Sequence, residues 1–218
     1  MTTVALKIIE LRCPNCGNEF TSKAIQADGA AGRQHTDFHV RTSGIEPLRY
    51  GVHLCGRCGY ASREDGFSQR GEVSYEVQQR VWDELAPRLS AAASPASEKY
   101  EFAAKVATWD GADPLTVGDL WLRAAWCCVE EGDIEAERYY RQYAVQSFEE
   151  ALESYDRIDP NDRAKITYLV GELWRRIGDG ARAKAWFERV PDEANRAGDG
   201  TWVRWAERQH ANPSEWFV

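Results

Sequence analysis

Four cysteines stand in two matched pairs, Cys13-Pro14-Asn15-Cys16-Gly17 and Cys55-Gly56-Arg57-Cys58-Gly59. A CxxC spacing lets a tight turn aim both thiolates at one ion. The glycine that follows lets the backbone bend so that amide N–H groups face sulfur. Two such knuckles supply four thiolates, enough to close a tetrahedral shell around Zn²⁺. A reactive dithiol accounts for one CxxC but not for its copy, and no helical pattern follows Cys16 to lower a thiol pKa. Iron also takes four thiolates, so the ligands are better defined than the ion. A shell closed by Cys13, Cys16, Cys55 and Cys58 leaves no position for water or substrate, and the expected role is structural. Apparent zinc affinities run to roughly 10–16 kcal/mol in small zinc peptides, so a module poor in apolar residues gains much of its folding free energy this way. Chelation is expected to unfold residues 1–65 and spare most helical structure.

Other side chains invite a chemical reading and carry it less far. His35 and His39 are four apart, and His53 precedes the second knuckle by two. On a helix His35 and His39 would share a metal, but Thr-Asp-Phe between them and Val-Arg-Thr after them read as extended. Surface or packing histidines are the plainer account, and His53 is superfluous beside four thiolates. Cys127 and Cys128 are neighbours on a helical pattern and point about 100° apart, which suits core packing. Arg33, Asp37, Arg41, Arg49 and Arg57 with Tyr50 and Tyr60 resemble faces that bind single-stranded nucleic acid, but interleaved acids favour a solvated face. Glu130-Glu131 and Glu149-Glu150 also read as solvated. No P-loop, GxGxxG, GxSxG or HExxH is present, so no catalytic residue is assigned.

The elements that position these residues change character near residue 70. The chain of 218 residues carries a net charge of −8, with the acidic excess beyond that point and a slightly basic segment before it. That balance disfavours a phosphate backbone as partner without excluding one. No apolar stretch reaches the length of a membrane span, and MTTVALKIIELRC lacks the basic start of a signal peptide. A cytoplasmic location, where thiols stay reduced, follows as the expectation. Strand-like runs at Val4–Leu11, Phe20–Ile25, Phe38–Arg41 and Leu48–Leu54 are divided by Gly, Pro and Asn.

Helical periodicity follows. Val73, Val77, Val81 and Leu85 make one stripe, closed by Pro87 and SAAASPAS. Ser94-Pro95 opens a second helix to about Trp109; Asp113-Pro114 opens a third, ended by Gly132, and Asp133 caps a fourth. Asp159-Pro160 opens a fifth, ended by Gly178, and Asp179 caps a sixth that stops before Pro191, with a short last helix after Thr201. The expected fold is α+β, mostly α: a zinc-ribbon-like β module over 1–66 followed by antiparallel helical hairpins over 67–218. In KITYLVGELWRRIGDGARAKAWFERV, Gly171, Trp174, Ala183 and Phe187 sit where a tetratricopeptide repeat alternates small and bulky residues. Leu120 to Leu152 gives a looser version with Trp121, Ala125, Cys128, Ala136 and Tyr140, and a bundle without a groove fits equally.

The whole resembles the bacterial domain-of-unknown-function family 2225. The residues that carry the likeness are the CPNCG knuckle with Phe20, then Asp37-Phe38, then Gly44, Pro47 and Tyr50 leading to Cys55, Cys58, Gly59, Tyr60 and Ala61. Leu122, Ala125, Trp126 and Gly132-Asp133 extend it into the helices. The resemblance implies a metal-binding ribbon joined to tetratricopeptide-like helices and no particular reaction. Some relatives carry another cysteine where this chain has His39, which makes His39 a candidate neighbour of the metal. The leading expectation is a non-enzymatic, cytoplasmic zinc protein whose helices bind a protein or peptide partner. The alternatives are a nucleic-acid-associated factor using the ribbon, and an enzyme with a site between ribbon and helices where His35, His39 and the arginines converge.

Overall fold

Hairpins at the N-terminus turn on the residues singled out above. The computed structural model describes residues 5–27, 32–42, 44–68, 71, 73–90, 94–154, 158–197 and 200–217. Strand β1 (Ala5–Arg12) pairs antiparallel with β2 (Glu19–Ala27), with Arg12 opposite Glu19, so Cys13–Asn18 form the connection. Strand β3 (Gly32–Gln34) pairs with β4 (Val40–Thr42), and the His35–His39 segment makes its turn. Strand β5 (His53–Leu54) pairs with β6 (Ala61–Ser62) around Cys55–Gly59.

Two of the expected strands differ. Phe38 does not extend β4 but closes the β3–β4 loop at φ +72°. Leu48–Leu54 is a strand only at its end: Pro47–Tyr50 forms a 3₁₀ turn, because Pro47 fits a first-turn position and the Glu46 carboxylate accepts from the Leu48 amide.

After α1 (Asp65–Ser68), α2 (Tyr75–Arg80) runs into a π-helical turn at Val81–Leu85 and a 3₁₀ turn at Ala86–Arg88. This irregularity suits its sequence. Residues four apart drift about 40° per step on an α-helix, and the wider π turn at Val81–Leu85 keeps Leu85 on the buried side with Val77 and Val81. The remaining helices are α3 (Ala96–Trp109), α4 (Pro114–Glu131), α5 (Ile134–Ser154), α6 (Pro160–Ile177), α7 (Gly180–Ala197) and α8 (Thr201–Ala211). Asp113 caps α4 through the Thr116 amide, and Gly132 and Gly178 end α4 and α6 at φ 76° and 96°.

Expected ends move at two helices. Pro95 takes the cap position of α3 without a side-chain bond, and Glu131 from α4 accepts the Ser97 amide instead. Helix α7 continues through Pro191 to Ala197. Val190, Glu193 and Ala194 are buried there, and Glu193 pairs with Arg163 of α6 at 3.2 Å, contacts that offset the hydrogen bond proline removes.

The fold is α+β and mostly α, with small antiparallel sheets ahead of a helical bundle. Consecutive helices pack on one another, most closely α4 on α5 and α6 on α7. Gly118 of α4 lies against the Phe148 ring of α5, and Gly171 of α6 against Phe187 of α7. One apolar cluster runs from Leu11 and Cys13 through Tyr60, Leu85 and Tyr100 to Phe187, so the hairpins and helices share a core.

Candidate metal centre

The two knuckles fold as copies. Cys13 N–H donates to Asn18 O at 2.8 Å and Gly17 N–H to Cys13 O at 2.9 Å; Cys55 N–H donates to Tyr60 O and Gly59 N–H to Cys55 O, both at 2.9 Å. Gly17 and Gly59 are left-handed, at φ 70° and 85°, which a side chain would strain. Gly59 has a second constraint: a Cβ there would lie 2.8 Å from that of Leu85, so this knuckle rests directly on the π-helical turn.

All four sulfurs lie within 4.8 Å of one another, with Cys13–Cys58 and Cys16–Cys55 at 3.7 Å. A tetrahedral shell with bonds of about 2.3 Å, the zinc–thiolate length, has edges of about 3.8 Å. The spacing therefore fits a four-thiolate metal shell, and all six cysteines are free thiols. Electrostatics point the same way. Contact with Cys55 and Cys58, together with burial, pushes the Cys13 thiol up. Contacts with Cys13 and Cys58 pull Cys55 down, helped by the Arg57 and Cys58 amides aimed at its sulfur. Such a cluster takes one negative charge readily and resists the next; a cation at its centre removes that resistance. Asn18 adds an Nδ2 donor 3.8 Å from the Cys55 sulfur, a link between knuckles that their spacing does not advertise.

A second polar cluster holds the β3–β4 turn against the helices. Asp37 is fully buried and accepts from Arg141 Nη1 at 2.8 Å and Trp126 Nε1 at 3.1 Å, with Arg176 Nε at 3.6 Å. Burial alone would raise this carboxyl, but the two guanidinium groups hold it well below the usual range. Thr36 donates to the buried Glu172 at 2.6 Å, and Glu172 also receives Arg175 and Arg176.

A model of the family described as "Uncharacterized protein conserved in bacteria (DUF2225)" matches residues 8–208. The chain belongs to this family. No curated protein and no solved structure matches it. The DUF2225 span takes in both knuckles, the β3–β4 turn and most of α8, and it ends before the last residues of the chain.

Among the described residues of this family member, the cysteine quartet is the one group arranged to hold a metal. His35 and His39 stack at 5.8 Å and are buried, as packing histidines would be. Burial lowers His39 to about 4, so its ring is neutral near pH 7. His53 shares a 2.9 Å hydrogen bond with Ser22, tying β5 to β2. Cys127 and Cys128 lie in the core of α4. Of the polar face considered on the ribbon, Asp37 and Tyr60 are inside, Arg41 pairs with Glu130 at 2.9 Å, and Arg33 stacks on Trp216. Three acids read as solvated are instead partners: Glu130, Glu131, and Glu149, which accepts from Trp174 Nε1 at 2.8 Å. Arg141 and Glu172 escaped the sequence reading, although helical spacing places both on buried stripes: Arg141 with Ala144, Val145 and Phe148, Glu172 with Tyr168 and Leu169.

Proposed function

We propose that this DUF2225 member is a cytoplasmic, non-enzymatic zinc protein that serves as an adaptor. In this reading Cys13, Cys16, Cys55 and Cys58 hold one structural ion, and the helices receive a protein partner. The observation that carries it is a cleft of about 650 Å³ beside the β3–β4 turn. Its floor comes from the first helices of both main hairpins, Leu122 and Trp126 of α4 and Ile166 and Leu169 of α6, with Phe38 and Leu48 facing them. Tetratricopeptide-like hairpins use the same arrangement of small and bulky residues, and Gly171 against Phe187 supports that kinship here. A mostly apolar floor with charged groups such as Arg123 and Lys165 at its sides suits the apolar side chains of a partner's segment. The closed thiolate shell supports a structural ion, and its spacing is compatible with zinc.

A photo-crosslinking residue at Leu115 or Ile166, both half-buried at the cleft, tests the docking claim in the native host. The same adduct should form from both positions, be absent from Tyr75 outside the cleft, and, with the crosslinker at Ile166, disappear when Leu115→Glu is added. Adducts formed equally from Tyr75, or none from the cleft, would contradict it.

His39 lines the same cleft, which favours a small-molecule or catalytic site as the second reading. Asp37 and Glu172 are already engaged by arginines, leaving this neutral imidazole without either carboxylate as a proton partner.

A further inference from the structure

The residues Ser214–Phe217 run along the outer edge of the β3–β4 hairpin and join it through a single antiparallel bridge, Trp216 to His35. We propose that this edge is a binding site for an extended protein segment, a glutamate followed by two aromatic residues, which the chain's own tail fills in cis. Thr36 N–H donates to Glu215 O at 3.0 Å and Phe217 N–H to Gln34 O at 3.3 Å, the alternation of an antiparallel ladder with His35 opposite Trp216. On its other edge His35 is already bonded to His39 O at 2.7 Å. The tail is therefore strand addition to a formed hairpin, in which main-chain bonds give affinity and side-chain pockets give specificity.

Three neighbouring sets of contacts meet the side chains. Glu215 meets Arg176 at 2.7 Å and Arg175 at 3.0 Å. Trp216 lies over His35 at 3.7 Å, with the Arg33 guanidinium 4.5 Å from its ring. Phe217 packs on Phe38 at 5.8 Å and edge-on to Trp205 at 4.5 Å.

Two observations separate the receptor from its occupant. The receptor residues just named fall within the family span of 8–208, and the tail lies beyond it. The edge is also held without the tail, because Thr36 is anchored by Glu172 and Asp37 by Arg141 and Trp126. Trp216 and Phe217 are only half-buried, and neither ring nitrogen of His35 has a hydrogen-bond partner to lose among the described residues. A tail joined to α8 through so short a connection competes at an effective concentration on the order of millimolar, which masks the site toward other chains. This site is separate from the cleft, and neither requires the other to be occupied.

The test uses the full chain and a fluorescein-labelled peptide of sequence Asn-Pro-Ser-Glu-Trp-Phe-Val, followed by fluorescence anisotropy. A variant carrying Trp216→Ala and Phe217→Ala should bind the peptide at least tenfold more tightly than the wild type. Changing the peptide's glutamate to lysine should remove most of that gain. Equal binding by both proteins would place the peptide elsewhere, and no binding by the variant would remove the site. A variant without a cooperative thermal transition would make the tail part of the core rather than a displaceable ligand. Each of those three results overturns the proposal.

Discussion

Phe38 occupies a left-handed position, φ +72°, that a three-residue hairpin loop requires and that glycine takes without strain. Holding a bulky residue there costs about 1–3 kcal/mol. The return is contact: Phe38 meets Trp202 edge-on at 5.4 Å and Tyr168 at 6.0 Å, with Lys165 5.1 Å from its centre. Phe38→Ala loses the ring and keeps the strain, whereas Phe38→Gly loses the ring and relieves it. In urea denaturation the glycine variant should therefore be the more stable of the two, by about 1 kcal/mol. Equal stability, or alanine above glycine, would show that the conformation stores no strain. At this scale the knuckles were legible because their signal is local: spacing, and a glycine where the turn needs one. The Phe38 turn was not, since no glycine marks it. Nor was the Asp37–Arg141 pair, whose partners lie 104 residues apart in sequence.

Helices were legible where cap and terminator are local, as at Asp113-Pro114 and Gly132. They were less so where distant packing decides, as at Pro191, which α7 passes through because its far end is docked on α6. The hairpins themselves rest on small residues. A Cβ on Gly171 would lie 2.7 Å from the Phe187 ring, in a buried interface with little room to yield. Gly171→Ala should destabilise the protein by about 1–3 kcal/mol, even though alanine is the better helix former by about 1 kcal/mol. Gly180→Ala is the control, since a Cβ there meets nothing within 4 Å. Thermal melting should separate the two; a Gly171→Ala protein as stable as the control would mean that α6 and α7 do not approach so closely.

Across the whole molecule, the parts would depend unequally on a metal held by the four cysteines. Strands β1 and β2 are largely exposed, with Ile8 at 74% and few buried side chains. Knuckle Cys55–Gly59 is different: it rests on Leu85, and Val52, Tyr60 and Ala61 beside it are buried in the shared core. The expectation that all of residues 1–65 unfold together on chelation is thereby sharpened. Besides the thiolates, the β1–β2 hairpin is held by a few contacts only, chiefly Leu11 in the core, Phe20 on Phe67 and the Ser22–His53 bond, while the second knuckle and the β3–β4 turn keep contacts to the helices. Hydrogen exchange on the full chain, before and after complete metal removal by a chelator, tests this most directly. Amides of residues 5–27 should lose protection while those of α3 to α7 keep theirs. Unchanged protection of 5–27 in the metal-free protein would contradict the claim that the four cysteines form a structural staple.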